Sequence, residues 1–135
     1  MKQPAIRVII LLFIFLSLFI FSINVNSTTL KATLTLNGFE KGESGGGPAE
    51  CDGKYHSDDD PIVALSTRWY NHGQRCFKYI NINYQDKSVR AMVVDECDST
   101  RGCKDDIVDA SRAVWNALQV PKSQYGETGV TWSDA

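Results

Sequence analysis

Five short stretches of the chain carry the residue spacing of β-strands. In the first of them, Ala32, Leu34 and Leu36 share one side, while a lysine and two threonines occupy the other. A period of two residues predicts half-buried strands. Pro61–Ser66 is instead a short apolar run, which predicts a buried strand. The five predicted strands are Lys31–Leu36, Pro61–Ser66, Tyr79–Asn83, Ser88–Val94 and Gly129–Trp132.

One segment has the spacing of an amphipathic helix. We predict that it begins at Asp109, whose carboxylate suits the N-cap, and ends before Pro121. Its apolar stripe consists of Ala110, Ala113, Val114, Ala117 and Leu118. Turn-forming residues separate the other elements at Gly42–Pro48, Asn71–Gly73 and Gln85–Lys87. Short strands, one helix and long polar loops are typical of a small β-barrel or β-sandwich.

The first 27 residues differ chemically from the rest. Lys2 and Arg7 precede an apolar run, Val8–Phe21, and small polar residues follow as far as Ser27. This order is typical of a secretory signal peptide. As a helix the run would span about 21 Å, less than a bilayer core of about 30 Å, which disfavours an uncleaved membrane anchor. We therefore predict a signal peptide at 1–27 and one domain at 28–135.

Setting the signal peptide aside changes the charge. The whole chain has 14 Lys and Arg against 16 Asp and Glu. Removing Lys2 and Arg7 leaves 12 cations against 16 acids, so the net charge falls from −2 to −4. An acidic domain disfavours nucleic acid and anionic membranes as partners. Cleavage after Ser27 would split the sequon at Asn26, so we infer no glycan from it.

All four cysteines lie in the predicted domain: Cys51, Cys76, Cys97 and Cys103. An even number behind a secretion signal predicts two disulfides, and three pairings are open. The spacings do not match Cys-x-x-Cys zinc sites, and His56 and His72 also lack ligand spacing. We therefore expect neither a metal nor a cofactor.

Asp95 is the candidate for chemistry, because it follows the apolar strand Ser88–Val94. A carboxylate held there could act as general acid or base in glycan cleavage. That reaction needs a second, suitably placed carboxylate, which the sequence does not identify. The alternative is that Asp95 accepts hydrogen bonds from loop N–H groups and holds the loop closed. We predict that the protein is not an enzyme.

Aromatic and titratable residues near predicted loops are candidates for binding: Tyr55, His56, Trp69 and Tyr70, together with Asp95. Aromatic side chains are enriched at protein interfaces and can stack on sugar rings. The alternative for Trp69 and Tyr70 is that they fill one end of the core. The acidic run Asp58–Asp60 lacks the spacing of a calcium loop, so we predict a solvated loop there.

Eight strings of residues are spread over the predicted domain. They are Leu34–Glu40, Gly45–His56, Val63–Thr67, Trp69–Asn71, Val93–Thr100, Ile107–Ser111, Ala113–Trp115 and Thr131–Asp134. In this order they resemble the kiwellin family of plant ripening-related proteins. The resemblance implies a mainly β fold: a disulfide-stabilised, six-stranded double-psi β-barrel with one or two short helices, related to barwin, expansin and RlpA-like domains. It also implies an apoplastic protein associated with ripening and defence, with no established catalytic activity.

The resemblance carries further expectations. By analogy with barwin-like barrels, Cys51 pairs with Cys76 and Cys97 with Cys103. The segment between Cys103 and Ile107 is shorter than in the family, so the resemblance does not extend to contacts that relatives make there. In lytic relatives an aspartate at the end of a barrel strand carries the chemistry, and Asp95 has a similar place. Fold similarity alone does not transfer activity.

We therefore predict a secreted, non-enzymatic ripening- or defence-related protein located in the apoplast. It would bind another protein, such as an enzyme secreted by a pathogen, through loops and the region of Trp69 and Tyr70. The alternative is cell-wall carbohydrate binding or loosening similar to expansins, with Asp95 at the centre of a groove. Glycan cleavage using Asp95 is the third and weakest hypothesis.

Overall fold

The computed structural model describes residues 28–135 and, before them, only Ile9 and Phe13. The predicted signal peptide lies outside the continuous described range. Six strands form a closed barrel in the order β1-β5-β2-β4-β3-β6. The strands are β1 (Leu30–Leu36), β2 (Ile62–Ser66), β3 (Tyr79–Tyr84), β4 (Lys87–Cys97), β5 (Ile107–Ala110) and β6 (Glu127–Asp134). The α-helices are α1 (Thr67–Tyr70) and α2 (Arg112–Leu118), and single 3-10 turns cover Asn71–Gly73, Ser99–Arg101 and Lys122–Gln124.

Two of the barrel's strand pairs are parallel. β1 pairs with β5, and β2 pairs with β4, in the parallel sense, while the other four pairs are antiparallel. Parallel neighbours need a long crossover connection, so they join strands that are distant in sequence. The five predicted strands are all present, and the barrel alternative, rather than the sandwich, is confirmed.

The inward faces of the strands fill the barrel with branched aliphatic and aromatic side chains. Trp132 is fully buried, and its ring meets that of Trp69 edge to face at a centroid distance of 5.1 Å. Trp69 and Tyr70 are only 7% and 9% exposed. Both residues therefore belong to the core, as the alternative prediction had it. The prediction that they lie on the surface is wrong for their position. A smaller outer cluster consists of Phe39, Ala49, Ile62, Ala64 and Val94.

Two local predictions are wrong. Asp109 does not cap a helix: it lies in β5, which pairs with β1 and β2, and Ser111 occupies the N-cap position of α2. These pairings join segments far apart in the chain, so no local pattern reports them. The solvated loop predicted at Asp58–Asp60 holds for the exposed Asp59 and Asp60 but is wrong for Asp58, which is buried and accepts a hydrogen bond from the backbone N–H of Phe39 at 2.7 Å.

The structure contains two disulfides, Cys51–Cys76 and Cys97–Cys103. This is the pairing that the family resemblance implied. The first bond ties the long loop before β2 to the segment that enters β3, over 25 residues of sequence. The second closes a short loop of 6 residues after β4. Each bond therefore restrains a loop at one end of β3 or β4.

Candidate functional site

An open groove of about 570 Å³ lies beside the end of β4. Its charged lining consists of five carboxylates and one guanidinium, from Glu50, Asp95, Glu96, Asp98, Asp109 and Arg101. The remaining lining residues are Asn37, Ser44, Gly45, Gly47, Pro48, Ala64, Cys97 and Cys103. None of them is aromatic. We refer to this site as the acidic groove.

A β-bulge places Asp95 in the acidic groove. The register between β2 and β4 pairs Val63 with Val93 but then pairs Ala64 with Asp95, which leaves Val94 as the extra residue. Without the bulge, the alternation that buries Ala91 and Val93 would send Asp95 into the barrel as well. Val94 instead joins the outer cluster, and Asp95 follows it onto the outer face.

A second carboxylate lies on the same face. Ala64 of β2 is opposite Asp95 of β4 on one side and opposite Asp109 of β5 on the other. Adjacent strands are about 4.8 Å apart, so the two aspartates start from backbone positions about 10 Å apart. The alanine between them has a side chain too small to screen one from the other. Thr35 extends the row on β1 and donates a hydrogen bond to Oδ1 of Asp109 at 2.7 Å.

The surroundings shift the protonation of both aspartates. Burial raises the pKa of Asp95, and the charges of Glu50 and Glu96 raise it further, against the lowering effect of two backbone N–H bonds. Burial also raises the pKa of Asp109, which the charge of Asp95 reinforces. The negative field reaches the barrel end, where burial and the groove's carboxylates raise the pKa of Tyr70. The acidic groove thus holds negative charge without enough cations to neutralise it.

Asp95 also has a structural role. Its Oδ1 accepts hydrogen bonds from the backbone N–H groups of Glu50 and Glu96, both at 2.8 Å. The first of these bonds attaches the loop before β2 to β4. The hydrogen bonds expected from the alternative role of Asp95, that of holding a loop closed, are therefore present. Because both bonds go to Oδ1, that oxygen of the carboxylate is already hydrogen-bonded to the backbone.

Ser66 lies behind the acidic groove, with its Oγ 4.0 Å from the Sγ of the groove residue Cys103. This residue is fully buried, and its Oγ donates a hydrogen bond to the carbonyl of Lys104 at 2.6 Å. The same oxygen accepts the N–H of Ile107 at 2.8 Å. Ser66 therefore anchors the start of β5 and the end of the loop closed by Cys97–Cys103.

The remaining binding candidates lie outside the acidic groove. Tyr55 is 41% exposed, and the imidazole of His56 lies 3.0 Å from a carboxylate oxygen of Asp52. Neither Tyr55 nor His56 lines the groove. Sequence analysis missed Asp109 as a groove residue, although the β-branched pair Ile107 and Val108 before it is a signal for a strand.

Two absences concern the part of the chain that the structure describes. Within it, no group of three His, Cys, Asp or Glu side chains is arranged to hold a metal ion. No helix in that part is long and apolar enough to cross a membrane.

The sequence matches a family model described as Kiwellin-1 over residues 17–135. A putative ripening-related protein 7 from Oryza sativa subsp. japonica is 56% identical over 113 residues, which cover 76% of this chain and 69% of the relative. Kiwellin from Actinidia chinensis var. chinensis is 50% identical over 120 residues, covering 81% of this chain and 56% of the relative. The chain thus corresponds to between about half and two thirds of these relatives' length.

Solved structures confirm the double-psi β-barrel fold. An expansin from Clavibacter michiganensis aligns with a TM-score of 0.63 at 20% identity, over 80% of this chain and 50% of the expansin. A Streptomyces papain inhibitor aligns with a TM-score of 0.55 at 19% identity, over 78% of this chain and 93% of the inhibitor. A rationally designed double-psi β-barrel protein aligns with a TM-score of 0.51 at 15% identity, over 80% of this chain and 99% of its own. At these identities the likeness concerns the fold alone.

Proposed function

Because the chain belongs to the kiwellin family of ripening-related proteins, we propose that it is a secreted, non-enzymatic protein that binds another protein. The binding site is the acidic groove, and the partner presents a lysine- or arginine-rich segment to it. An enzyme secreted by a pathogen is the class of partner that fits a defence-related protein of the apoplast. The similarity in fold to a papain inhibitor is consistent with a barrel that binds enzymes.

The observation that carries this proposal is the composition of the groove. Five carboxylates face one guanidinium, and no aromatic ring is available for stacking on a sugar. Such a field attracts cations, accelerates their association and rejects acidic partners. The disulfide Cys97–Cys103 and the bonds of Asp95 hold the groove in shape, which lowers the entropic cost of binding.

The test is capture of proteins from the apoplastic fluid of infected tissue, followed by affinity measurement with the partner identified. The variant Glu50→Gln with Glu96→Gln removes two groove charges and keeps both backbone N–H groups that bind Asp95. We expect this variant to weaken binding by about tenfold at low salt, and the difference to shrink as salt is added. The matched control is Asp86→Asn with Glu127→Gln, which removes two exposed charges outside the groove.

Equal affinities of the groove variant and the control would contradict the proposal. So would a failure to recover any partner whose capture depends on Glu50 and Glu96. Circular dichroism of both variants provides the check that neither change alters the fold.

A second candidate function is carbohydrate binding, and the row of Asp95, Ala64 and Asp109 favours it. Two carboxylates on one face of an open groove can accept hydrogen bonds from sugar hydroxyls. Calorimetric titration of soluble cell-wall oligosaccharides tests this function, and absence of heat at millimolar ligand would exclude it. Glycan cleavage would require, in addition, that Asp95→Asn abolish release of reducing sugar while the protein stays folded.

A further inference from the structure

The turn Arg75–Lys78 before β3 is held in a strained conformation. The N–H of Lys78 donates to the carbonyl of Arg75 at 3.1 Å, and Phe77, the third residue of the turn, has a φ of 64°. A bulky residue rarely adopts this left-handed conformation, which favours glycine. Strain of this kind persists where the surrounding structure enforces it, and it often marks a functional site.

Three restraints enforce the turn. Cys76 is bonded to Cys51, the N–H of Phe77 donates to the carbonyl of Val93 at 2.7 Å, and the N–H of Val93 donates to the carbonyl of Lys78 at 2.9 Å. The turn is therefore attached to β4 on both sides of Phe77. As a result, the Phe77 side chain remains 49% exposed on a backbone that has little freedom.

Two of the three cations around this turn, Arg75 and Arg90, are also held in place by contacts. Arg75 donates to both carboxylate oxygens of Asp134, at 2.9 and 3.1 Å, and to the carbonyl of Trp69 at 2.7 Å. The guanidinium of Arg90 stacks on the ring of Tyr79, 3.9 Å from its centroid. Within residues 28–135, neither Lys78 nor Arg90 forms an ion pair with an acid. Two positive charges thus remain available beside one that is neutralised.

The three cations border a pocket of about 410 Å³, and Phe77 is not part of its lining, which is Asn71, Gln74, Arg75, Lys78, Tyr79, Arg90, Asp134 and Ala135. We define the basic turn as Arg75, Phe77, Lys78, Tyr79 and Arg90. Tyr79 is 37% exposed, so two partly exposed rings accompany the cations. Arginine and aromatic side chains on a rigid backbone are the composition of protein-interface hot spots.

We propose that the basic turn is a docking surface for an acidic segment of a protein partner. Carboxylates of that segment pair with Lys78 and Arg90, and an apolar side chain beside them packs on Phe77. The proposal rests on the proposed function in that it takes the ligand to be a protein. Arg90 and Asp95 are five residues apart on β4, but Val94 between them is the extra residue of the bulge, so four strand steps, or about 13 Å, separate them. A partner that used both sites would carry an acidic and a basic segment at about that separation.

The test uses the protein secreted by a eukaryotic host that expresses the full chain. Fluorescence anisotropy measures its binding to a labelled peptide of glutamates that flank one leucine. We expect Lys78→Glu with Arg90→Glu to weaken binding by about tenfold or more. The matched control, Lys87→Glu with Lys122→Glu, makes the same change in charge elsewhere and should retain wild-type affinity. Equal affinity of both double variants would overturn the proposal.

Competitors distinguish the acidic segment from other anions. The competitors are inorganic phosphate, a uronic acid oligomer and unlabelled peptide. If either of the first two displaces the labelled peptide at a lower concentration than unlabelled peptide does, the surface is assigned to that anion and the proposal is overturned. Weak competition by both supports it.

A second labelled peptide, with lysines in place of the glutamates, separates this proposal from the proposed function. Its binding should depend on Glu50 and Glu96 but not on Lys78 and Arg90. If the wild-type protein binds the glutamate peptide but not the lysine peptide, the acidic groove is contradicted and the basic turn stays supported. If it binds the lysine peptide but not the glutamate peptide, the basic turn is overturned and the groove stays supported.

Discussion

The acidic groove and the basic turn both border β4, and they hold their charges by different means. In the groove, Asp95 and Asp109 are partly buried, and hydrogen bonds from N–H and O–H groups are their main support. In the basic turn, Arg75 and Arg90 are held by a carboxylate, a carbonyl and an aromatic ring. The charge of the groove can therefore change with the protonation of its aspartates. The charge of the turn is constant, and its position is set by a restrained backbone.

This difference shows how one small barrel can present two surfaces of opposite sign. Like charges that are not neutralised raise the energy of the folded protein unless protons or a partner relieve them. Cations stacked on rings and paired with acceptors add rigidity instead. The disulfide Cys51–Cys76 connects the two regions, since Cys51 follows the groove residue Glu50 and Cys76 precedes Phe77.

The largest expected effect separates the two disulfides. Removal of Cys51–Cys76 by alanine substitution at both positions should lower the free energy of unfolding by about 3.5 kcal/mol, because the bond closes a 25-residue loop. Removal of Cys97–Cys103, which closes 6 residues, should cost about 2 kcal/mol. Denaturation with guanidinium chloride measures both values. Equal losses would show that loop length does not govern the stability of this barrel.

On the groove side, Ser66→Ala should lower the free energy of unfolding by about 2 kcal/mol. The substitution leaves the buried N–H of Ile107 and the carbonyl of Lys104 without the hydroxyl that now satisfies both. Unfolding in guanidinium chloride gives the loss, with Ser88→Ala as an exposed control. A change below about 0.5 kcal/mol would indicate that water replaces the hydroxyl at this position.

On the side of the basic turn, Phe77→Gly should stabilise the protein by about 1 kcal/mol. Glycine adopts a φ of 64° without the steric cost that phenylalanine bears, and the exposed ring contributes little packing. The same variant should bind the glutamate–leucine peptide more weakly, because it lacks the ring. Thermal unfolding and anisotropy measure the two effects. A destabilised variant would mean that ring contacts outweigh the backbone strain.

The sequence predicts most of the barrel because most strands show a local pattern. Alternation in Lys31–Leu36 and Tyr79–Asn83 corresponds to β1 and β3. β5 escaped prediction since its four residues are largely buried on both faces and have no alternation to detect. Its position depends on pairing with β1 and β2, which are distant in sequence.

The acidic groove could be predicted only in part. Asp95 was identifiable because it follows an apolar strand, but its direction depends on the bulge at Val94. Two adjacent valines at the end of that strand were the only local sign of the bulge. Asp109 joins Asp95 solely through strand register across Ala64, a relation that no spacing along the chain contains.

The smallest expected effect tests the surroundings of Asp109 through pH. The folded-state pKa of Asp109 is raised above its ordinary 3.8 by burial and by the charge of Asp95. The folded protein then binds more protons than the unfolded chain between the two pKa values, so this group's contribution to stability is full below pH 3.8 and is lost as pH rises through the raised pKa. Asp109→Asn keeps an acceptor for Thr35 and removes that dependence.

The variant should therefore gain stability relative to wild type as pH rises from 3 to 7, with little difference at the acid end. Hydrogen bonds from Thr100 and Arg75 lower the pKa values of Asp98 and Asp134. The contribution of these two groups to the stability of the protein is therefore lost in the opposite direction, as pH falls. Subtracting wild type from variant cancels their contribution. Asp86→Asn, outside the groove, is the control, and chemical denaturation across the range supplies the values. A pH-independent difference would mean that neither burial nor the charge of Asp95 raises the pKa of Asp109, and the groove would then lack the proton-adjustable charge that distinguishes it from the basic turn.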